Sequence, residues 1–190
     1  MHCVIGSGPA GTACAKALLQ RGADVLMLDA GIELENDRAK TVRELSETKF
    51  SDWPREKVAE IKNGMNASAK GLPQKLAFDS NYPYRGADEH AAWRGRGATV
   101  RPSLALGGFS TVWGAAMLPY RDTDTENWPV KSKELAQHYR AVLEFTGFAA
   151  QRDDLEEFFP LHSENPGALK SSSQADSFLK NLESHRDELR

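Results

Sequence analysis

The sequence has few of the features that metal centres, disulfide frameworks and membrane spans require. Its two cysteines, Cys3 and Cys14, are spaced for neither a metal site nor a set of disulfides, and we expect both to be small buried residues. The longest apolar runs, around residues 15–19 and 25–28, are far shorter than the roughly 20 residues that cross a bilayer. We therefore expect no disulfide framework, no metal and no membrane span.

Charge of neither sign dominates. The 190 residues include 24 basic and 27 acidic ones, for a formal charge of -3, without a long block of like charges. Nucleic acid and anionic membrane surfaces are therefore not expected as partners. The N-terminus enters an apolar segment without the basic flank of a signal peptide, which favours a cytoplasmic location.

The strongest pattern lies in residues 1–31. An apolar run at residues 2–5 ends at a glycine and predicts a buried strand. Apolar residues recur at three- and four-residue spacing over residues 9–20, before Gly22, and predict a helix with one buried face. A second apolar run at residues 25–28 predicts a parallel strand covered on both faces. This order predicts an α/β, Rossmann-like fold.

The turn between the first strand and the helix reads Gly-Ser-Gly-Pro-Ala-Gly, a G-x-G-x-x-G motif. Gly6 permits the tight turn, Gly8 lets a diphosphate approach the backbone, and Gly11 lets the helix pack closely on the strand. The helix N-terminus offers N–H groups and a partial positive charge to that diphosphate. Asp29 follows the second strand, where its carboxylate can accept hydrogen bonds from both hydroxyls of an adenosine ribose.

These residues predict a dinucleotide-binding site, in which Asp29 disfavours a ribose 2′-phosphate by charge repulsion. The alternative is a Gly-rich turn with a structural role alone. The candidate cofactor-binding residues of this part are Gly6, Ser7, Gly8, Pro9, Ala10, Gly11, Asp29, Ala30 and Gly31.

Because FAD and NAD use the same motif, the choice between them depends on residues downstream. Three segments resemble, in collinear order, the glucose-methanol-choline (GMC) oxidoreductases: Asp-Ala-Gly at residues 29–31, Leu-Gly-Gly-Phe-Ser-Thr-Val-Trp-Gly-Ala at residues 106–115, and a Trp-Pro and helix block at residues 127–147. The second segment is most similar to the pyranose-oxidase-like branch. The resemblance implies a GMC-type FAD-binding domain.

Residues 104–120 contain the second flavin-contacting element that the resemblance implies. The paired glycines Gly107 and Gly108 let the backbone run against the flavin or its ribityl phosphate, and Ser110 can donate a hydrogen bond there. Arg101 can neutralise part of the diphosphate charge, although a surface arginine without a ligand is the commoner case. The candidate cofactor-binding residues here are Arg101, Gly107, Gly108, Ser110, Trp113, Gly114 and Ala115.

Other residues of this element bear on how the flavin is held. Some members of the family tether FAD covalently through a histidine at the position matched by Val112, so the valine implies non-covalent FAD. Backbone N–H groups near Gly114 and Ala115 can face the N5 edge of the flavin. If the segment is only a Gly-rich turn beside an aromatic core, Trp113 is a packing residue.

We predict that residues 1–147 form the N-terminal portion of the FAD-binding domain and that residues 148–190 form a polar helical tail. Half of the residues between 33 and 62 are charged, which predicts solvated helices around 39–48 and 54–63. An irregular loop is expected over residues 64–101 because glycine, proline and asparagine are frequent there.

Two later helices have recognisable ends. Ser132 is the predicted N-cap of a helix that ends at Gly147. Ser173, followed by Asp176, is the predicted cap of a last, mostly exposed helix. The apolar face expected for the first of these helices consists of Leu135, Tyr139, Val142 and Leu143.

No residue is assigned as catalytic. His90, His138 and His162 lack carboxylate or cysteine partners at triad or metal-ligand spacing. The catalytic histidine of GMC enzymes lies in a C-terminal region that has no counterpart in this sequence. Only two parallel strands are predicted, whereas a doubly wound sheet needs three or more, so we expect an incomplete FAD-binding domain that is inactive alone.

The expected parent reaction is hydride transfer from a CH–OH carbon of an alcohol or sugar to flavin N5. The expected partners are that small-molecule substrate and an electron acceptor of unknown kind. Two alternatives remain open: a non-catalytic truncated remnant that binds adenine dinucleotide weakly, and an NAD-dependent Rossmann enzyme.

Overall fold

The computed structural model describes residues 1–62, 65–67, 73–91, 97, 100–114, 116–168 and 171–189. The chain divides into two compact units, Met1–Ala115 and Ala116–Arg190. Among the described residues, no helix combines the length and the apolar character that crossing a bilayer demands.

The first unit begins with the predicted strand, helix and strand. These are β1 (His2–Ile5), α1 (Pro9–Gln20) and β2 (Val25–Leu28), and their predicted bounds are confirmed. The two strands pair in parallel, with His2 opposite Val25 and Ile5 opposite Leu28. Their sheet contains no third strand among the described residues. The βαβ unit therefore presents the Gly-rich turn at the carboxyl end of β1, beside the end of β2.

The helix α1 covers one face of this sheet and leaves the other bare. Val4 is buried on the covered face, near the position that a Cβ on Gly11 would occupy. Side chains alternate between faces along a strand, so the neighbours of Val4 point away from α1. These neighbours and their partners across the pair are all exposed, and we call them the open sheet face: Cys3, Ile5, Leu26 and Leu28.

Three sequence expectations are therefore wrong. The strand β1 is not a buried strand, because Val4 alone of its four residues is buried. The strand β2 is not covered on both faces, because a two-stranded sheet with one helix has no second layer to cover it. Cys3 and Cys14 are both free and exposed rather than buried. Cys3 is exposed because it belongs to the open sheet face, and Cys14 is an exposed residue of α1.

The rest of the first unit is largely helical and irregular. The two predicted solvated helices are present as α2 (Asn36–Ser46) and α3 (Arg55–Glu60). Within the segment expected to be an irregular loop, the described residues form a short antiparallel pair, β3 (Met65–Ala67) and β4 (Pro73–Lys75), and a one-turn helix, α4 (Ala87–His90).

A small apolar core holds the second glycine element beside the first strand pair. Ile32 forms a parallel bridge with Ala105: its N–H donates to the carbonyl of Leu104 at 3.1 Å, and its carbonyl accepts from Leu106 at 2.9 Å. Ala105 is 2% exposed. The buried residues of this core are Ala77, Tyr82, Ala105 and Val112, with Ile32, Leu34 and Phe109 packed against them.

The second unit contains α5 (Ser132–Thr146) and α6 (Ser173–Ser184). The helix α5 stops at Gly147 as predicted, and this C-cap glycine is left-handed, with φ of 61°. Its predicted apolar face is only partly buried, and none of its residues is fully buried. The residues of that face are Leu135, Tyr139, Val142 and Leu143.

Both predicted serine caps are displaced by one residue. Lys131 is the N-cap of α5, and Ser132 is the first helical residue, with its hydroxyl bonded to the carboxylate of Asp122. In α6 the cap is Ser172, whose Oγ accepts from the N–H of Ala175 at 3.1 Å. At α6 three successive serines, residues 171–173, offer equivalent hydroxyls, so local sequence does not distinguish them. At α5 the Glu134 carboxylate accepts from the N–H of Lys131 at 3.1 Å, and no serine cap is used.

Candidate dinucleotide-binding site

The Gly-rich turn is held in one conformation at the carboxyl end of β1. Gly6 has φ of +93°, a region that side chains disfavour, and its N–H donates to the carbonyl of Leu28 at 2.7 Å. Gly8 is the extended N-cap of α1 and its carbonyl accepts the first helical hydrogen bond, from Thr12 at 2.9 Å. The start of α1 therefore points its free N–H groups out of this turn.

Gly11 has the packing role that the motif predicts. A Cβ atom built at this residue would lie 1.9 Å from the carbonyl oxygen of Gly6 and 3.5 Å from a methyl carbon of Val4. No side chain can be accommodated at the first of these distances. Only the hydrogen atom of a glycine fits at residue 11, and this allows α1 to pack so closely on the end of β1.

Asp29 is exposed at the end of β2 and ties the turn to that strand. Its Oδ2 accepts hydrogen bonds from the backbone N–H of Ser7 at 2.6 Å and from Ser7 Oγ at 2.7 Å. Its Oδ1 accepts from the N–H of Gly31 at 2.7 Å. The pKa of Asp29 is lowered by these three hydrogen bonds, most strongly by the one from the Ser7 hydroxyl, next by the one from the Ser7 N–H and then by the one from the Gly31 N–H. Together they outweigh burial, which raises the pKa. The carboxylate is therefore ionised at neutral pH.

The second glycine element contacts the first directly. The N–H of Gly107 donates to Ser7 Oγ at 2.8 Å, across 100 residues of sequence. A Cβ on Gly108 would lie 3.5 Å from Gly8 Cα, and one on Gly8 would lie 3.9 Å from the carbonyl oxygen of Gly107. The two glycine segments thus meet through their backbones. We call the joined residues the cradle: Gly6, Ser7, Gly8, Asp29, Gly107 and Gly108.

Ser7 was a candidate cofactor-binding residue from the sequence, but its contacts with Asp29 and Gly107 were not predicted. Its hydroxyl donates to Asp29 and accepts from Gly107, so one side chain links both glycine elements and the acidic residue. The sequence shows only that Ser7, the first x of the G-x-G-x-x-G motif, has a hydroxyl group. Nothing local to that position indicates a partner 100 residues away.

The remaining candidate residues that the structure describes differ in exposure. Ser110 directs its hydroxyl to the carbonyl of Gly107 at 2.6 Å, within its own turn. Arg101 is half-buried. Trp113 is 46% exposed and is not a core residue, whereas Val112 is buried. The exposed candidates are Pro9, Ala10, Ala30, Gly31 and Gly114, and Ala115 lies outside the described residues.

The histidines are not part of the cradle. His90 and His138 are exposed. His162 stacks on Tyr139, with ring centroids 5.1 Å apart, and burial together with the nearby charge of Arg140 lowers its pKa. In the part of the chain that the structure describes, no three metal-ligating side chains come together.

Comparison with known proteins identifies the first part of this site. The model of a family described as the NAD(P)-binding Rossmann-like domain matches residues 4–34. That range spans α1, β2 and Asp29, together with the second half of β1. No curated protein and no solved structure matches the chain. The chain therefore contains a Rossmann-like dinucleotide-binding unit within a mixed α/β fold with a small parallel sheet, an arrangement typical of oxidoreductases.

Proposed function

We propose that the cradle binds FAD non-covalently, as the cofactor-binding part of an oxidoreductase acting on the CH–OH group of an alcohol or sugar. The hydrogen bond from Gly107 to Ser7 Oγ carries this proposal. It places a second glycine segment, the one that resembles the flavin-contacting element of GMC enzymes, directly against the diphosphate-binding turn. A cofactor bound there would contact the glycine backbone of both segments, the Gly-rich turn and the segment with Gly107 and Gly108.

The residues present fit such a cofactor. Gly8 has no side chain at the start of α1, where helix N–H groups favour a diphosphate. Gly107 and Gly108 expose backbone beside it, and the exposed carboxylate of Asp29 can accept from a ribose hydroxyl. When bound, FAD supplies the hydride acceptor. The protein residues named here bind and orient it.

Non-covalent binding rests on Val112. Its side chain is 8% exposed and packs in the apolar core with Ala77, Tyr82 and Ala105. Valine has no nucleophilic nitrogen, and a buried side chain at this position points into the core. Acid precipitation of the flavin-loaded protein should therefore release all flavin into the supernatant. Colour that stays in the pellet would contradict this part of the proposal.

The central experiment compares FAD with NAD⁺ on the purified chain. We expect gel filtration after incubation with FAD to yield a yellow protein, and titration to give an affinity for FAD about tenfold or more above that for NAD⁺, equivalent to about 1.4 kcal/mol. A colourless protein that prefers NAD⁺ would contradict the proposal.

Gly8→Ala is the sharpest variant for this experiment. Gly8 has an ordinary φ of -61°, and the nearest atom to an added Cβ is 3.9 Å away, so the variant should fold with an unchanged melting temperature. The new methyl group occupies the space through which the diphosphate approaches. We expect about tenfold weaker FAD binding or worse, comparable to the loss of one charge-assisted hydrogen bond.

An NAD-dependent enzyme is the second candidate, because the matching family is described as NAD(P)-binding. A weakly binding, non-catalytic remnant is the third, because the open sheet face leaves the βαβ unit without a second layer. The FAD and NAD⁺ titrations separate the first two candidates. Millimolar affinity for both cofactors would favour the third.

A further inference from the structure

We propose that Ser7 is a specificity-determining residue of the cradle: it leaves Asp29 able to accept from one ribose hydroxyl of a bound adenine nucleotide, and not from two. This inference rests on the proposed function only in requiring that an adenine nucleotide binds here. It departs from the sequence expectation, in which the carboxylate of Asp29 accepts from both hydroxyls.

The carboxylate of Asp29 can accept only a limited number of hydrogen bonds. An ionised carboxylate has roughly four acceptor positions, two on each oxygen. On Asp29, Oδ2 already accepts from both the N–H and the Oγ of Ser7, so both of its positions are occupied. Oδ1 accepts from Gly31 alone. One acceptor position is therefore left, on Oδ1.

Ser7 is held by hydrogen bonds of both its backbone and its side chain, so a ligand that displaces it must break several of them. Its carbonyl accepts from Thr12 Oγ1 at 3.0 Å, and its hydroxyl accepts from Gly107 at 2.8 Å while donating to Asp29. A rotation about Cα–Cβ that moves Ser7 Oγ away from Asp29 would also remove the acceptor of the half-buried Gly107 N–H. Loss of both hydrogen bonds costs free energy, which favours the arrangement with Ser7 Oγ in place.

The consequence for recognition is asymmetry between the two hydroxyls. One hydroxyl donates to the open position on Oδ1, and the other has no acceptor on Asp29. Removing the first hydroxyl from a nucleotide should weaken binding about tenfold or more, because the lost hydrogen bond is to a charged group. Removing the second should change affinity by less than about twofold, because that hydroxyl stays in water.

The experiment titrates the full chain with ADP, 2′-deoxy-ADP and 3′-deoxy-ADP. We expect one deoxy nucleotide to bind like ADP and the other about tenfold more weakly. In Ser7→Ala, one position on Oδ2 is freed, so both deoxy nucleotides should now bind more weakly than ADP. Ser46→Ala, which removes a hydroxyl bonded only within α2, should keep the wild-type pattern.

The outcomes separate this inference from the function on which it rests. Equal losses for both deoxy nucleotides on the wild-type chain would overturn the inference while leaving FAD binding intact. Binding of neither ADP nor FAD would overturn both. The comparison of the two deoxy nucleotides on the wild-type chain is sufficient to test the inference, even if Ser7→Ala does not fold.

Discussion

At the scale of single residues, Gly11 determines whether α1 can lie against β1. A methyl group there would sit 1.9 Å from the Gly6 carbonyl, and backbone on both sides leaves no flexible side chain to move aside. We expect Gly11→Ala to lower the free energy of unfolding by about 3 kcal/mol, the upper part of the range for overpacking. Urea denaturation followed by circular dichroism measures this loss.

The matched control for that prediction is Gly114→Ala. Gly114 has no atom within 4 Å of an added Cβ and does not have a positive φ, so this variant should change the free energy of unfolding by less than about 0.5 kcal/mol. Equal stability of the two variants would show that α1 and β1 are not packed this closely.

Glu35 connects stability to pH through one charged contact. Burial raises the pKa of Glu35, but hydrogen bonds from its own N–H, Ser80 and Arg85, with the charge of Arg85, outweigh burial and lower the pKa to about 2. A folded-state pKa below the ordinary 4.5 means that protonation favours the unfolded chain. The stabilisation is complete above pH 4.5 and is lost as the pH falls towards 2.

We therefore expect Glu35→Gln to flatten the fall in unfolding free energy across that acidic window. Urea denaturation at several pH values between about 2 and 5 measures the slope. Glu33→Gln, an exposed neighbour on the same segment, should keep the wild-type slope. A wild-type slope in Glu35→Gln would show that the contact with Arg85 does not form in solution.

At the scale of secondary-structure elements, the open sheet face should be detectable by thiol chemistry. Cys3 lies on that face and Cys14 lies on α1, and both are exposed. We expect the folded chain to react with two equivalents of a thiol reagent before any denaturant is added, and Cys14→Ser with one. A Cys3 thiol that reacts only after denaturation would mean that this face is covered in solution.

The elements that were predicted accurately are the ones that are long enough, and locally marked well enough, to show a pattern in the sequence. The strands and helix of the βαβ unit were predicted at their observed bounds because apolar runs and a glycine stop mark them locally. The strands β3 and β4 have three residues each, too few to show an alternating pattern. The exposure of β2 was not predicted, because burial of its second face needs another layer packed on the sheet opposite α1, and the local sequence does not show whether such a layer exists.

The candidate site was predictable to the same extent. Gly6 has the turn conformation and Gly11 the close packing that the motif implies, since these belong to one turn, whereas the diphosphate contact at Gly8 stays a prediction. The position of Ser7 between Asp29 and Gly107 depends on two segments that meet only in the folded unit. The assignment of Ala115 stays a prediction, as it lies outside the described residues.

At the scale of the whole molecule, we expect no turnover of alcohols or sugars by the chain with added FAD. Alcohol oxidation is accelerated about 10²- to 10⁴-fold by a base that takes the hydroxyl proton. In the cradle the titratable side chain is Asp29, and its pKa is lowered mainly by the Ser7 hydroxyl, which makes it a weak base. Reduction of a dye acceptor over a panel of alcohols and sugars measures turnover.

The control for that assay is free FAD at the same concentration. Turnover clearly above this control would show that another residue acts as the base. His90 and His162 would then be the first positions to substitute, because the former lies in the unit that contains the cradle and the latter is half-buried.

The hydrogen bond between Ser7 and Gly107 also sets an order of events during synthesis of the chain. Ser7 and Asp29 are 22 residues apart and can pair once β2 has been made, whereas the second partner of Ser7 comes 100 residues after it. At translation speeds of about 5–20 residues per second, the first half of the cradle stands alone for roughly 4–16 s. Contacts of long sequence separation also form more slowly once both partners exist. A nucleotide that meets the nascent chain in that interval finds Asp29 held by Ser7 but no glycine segment facing it.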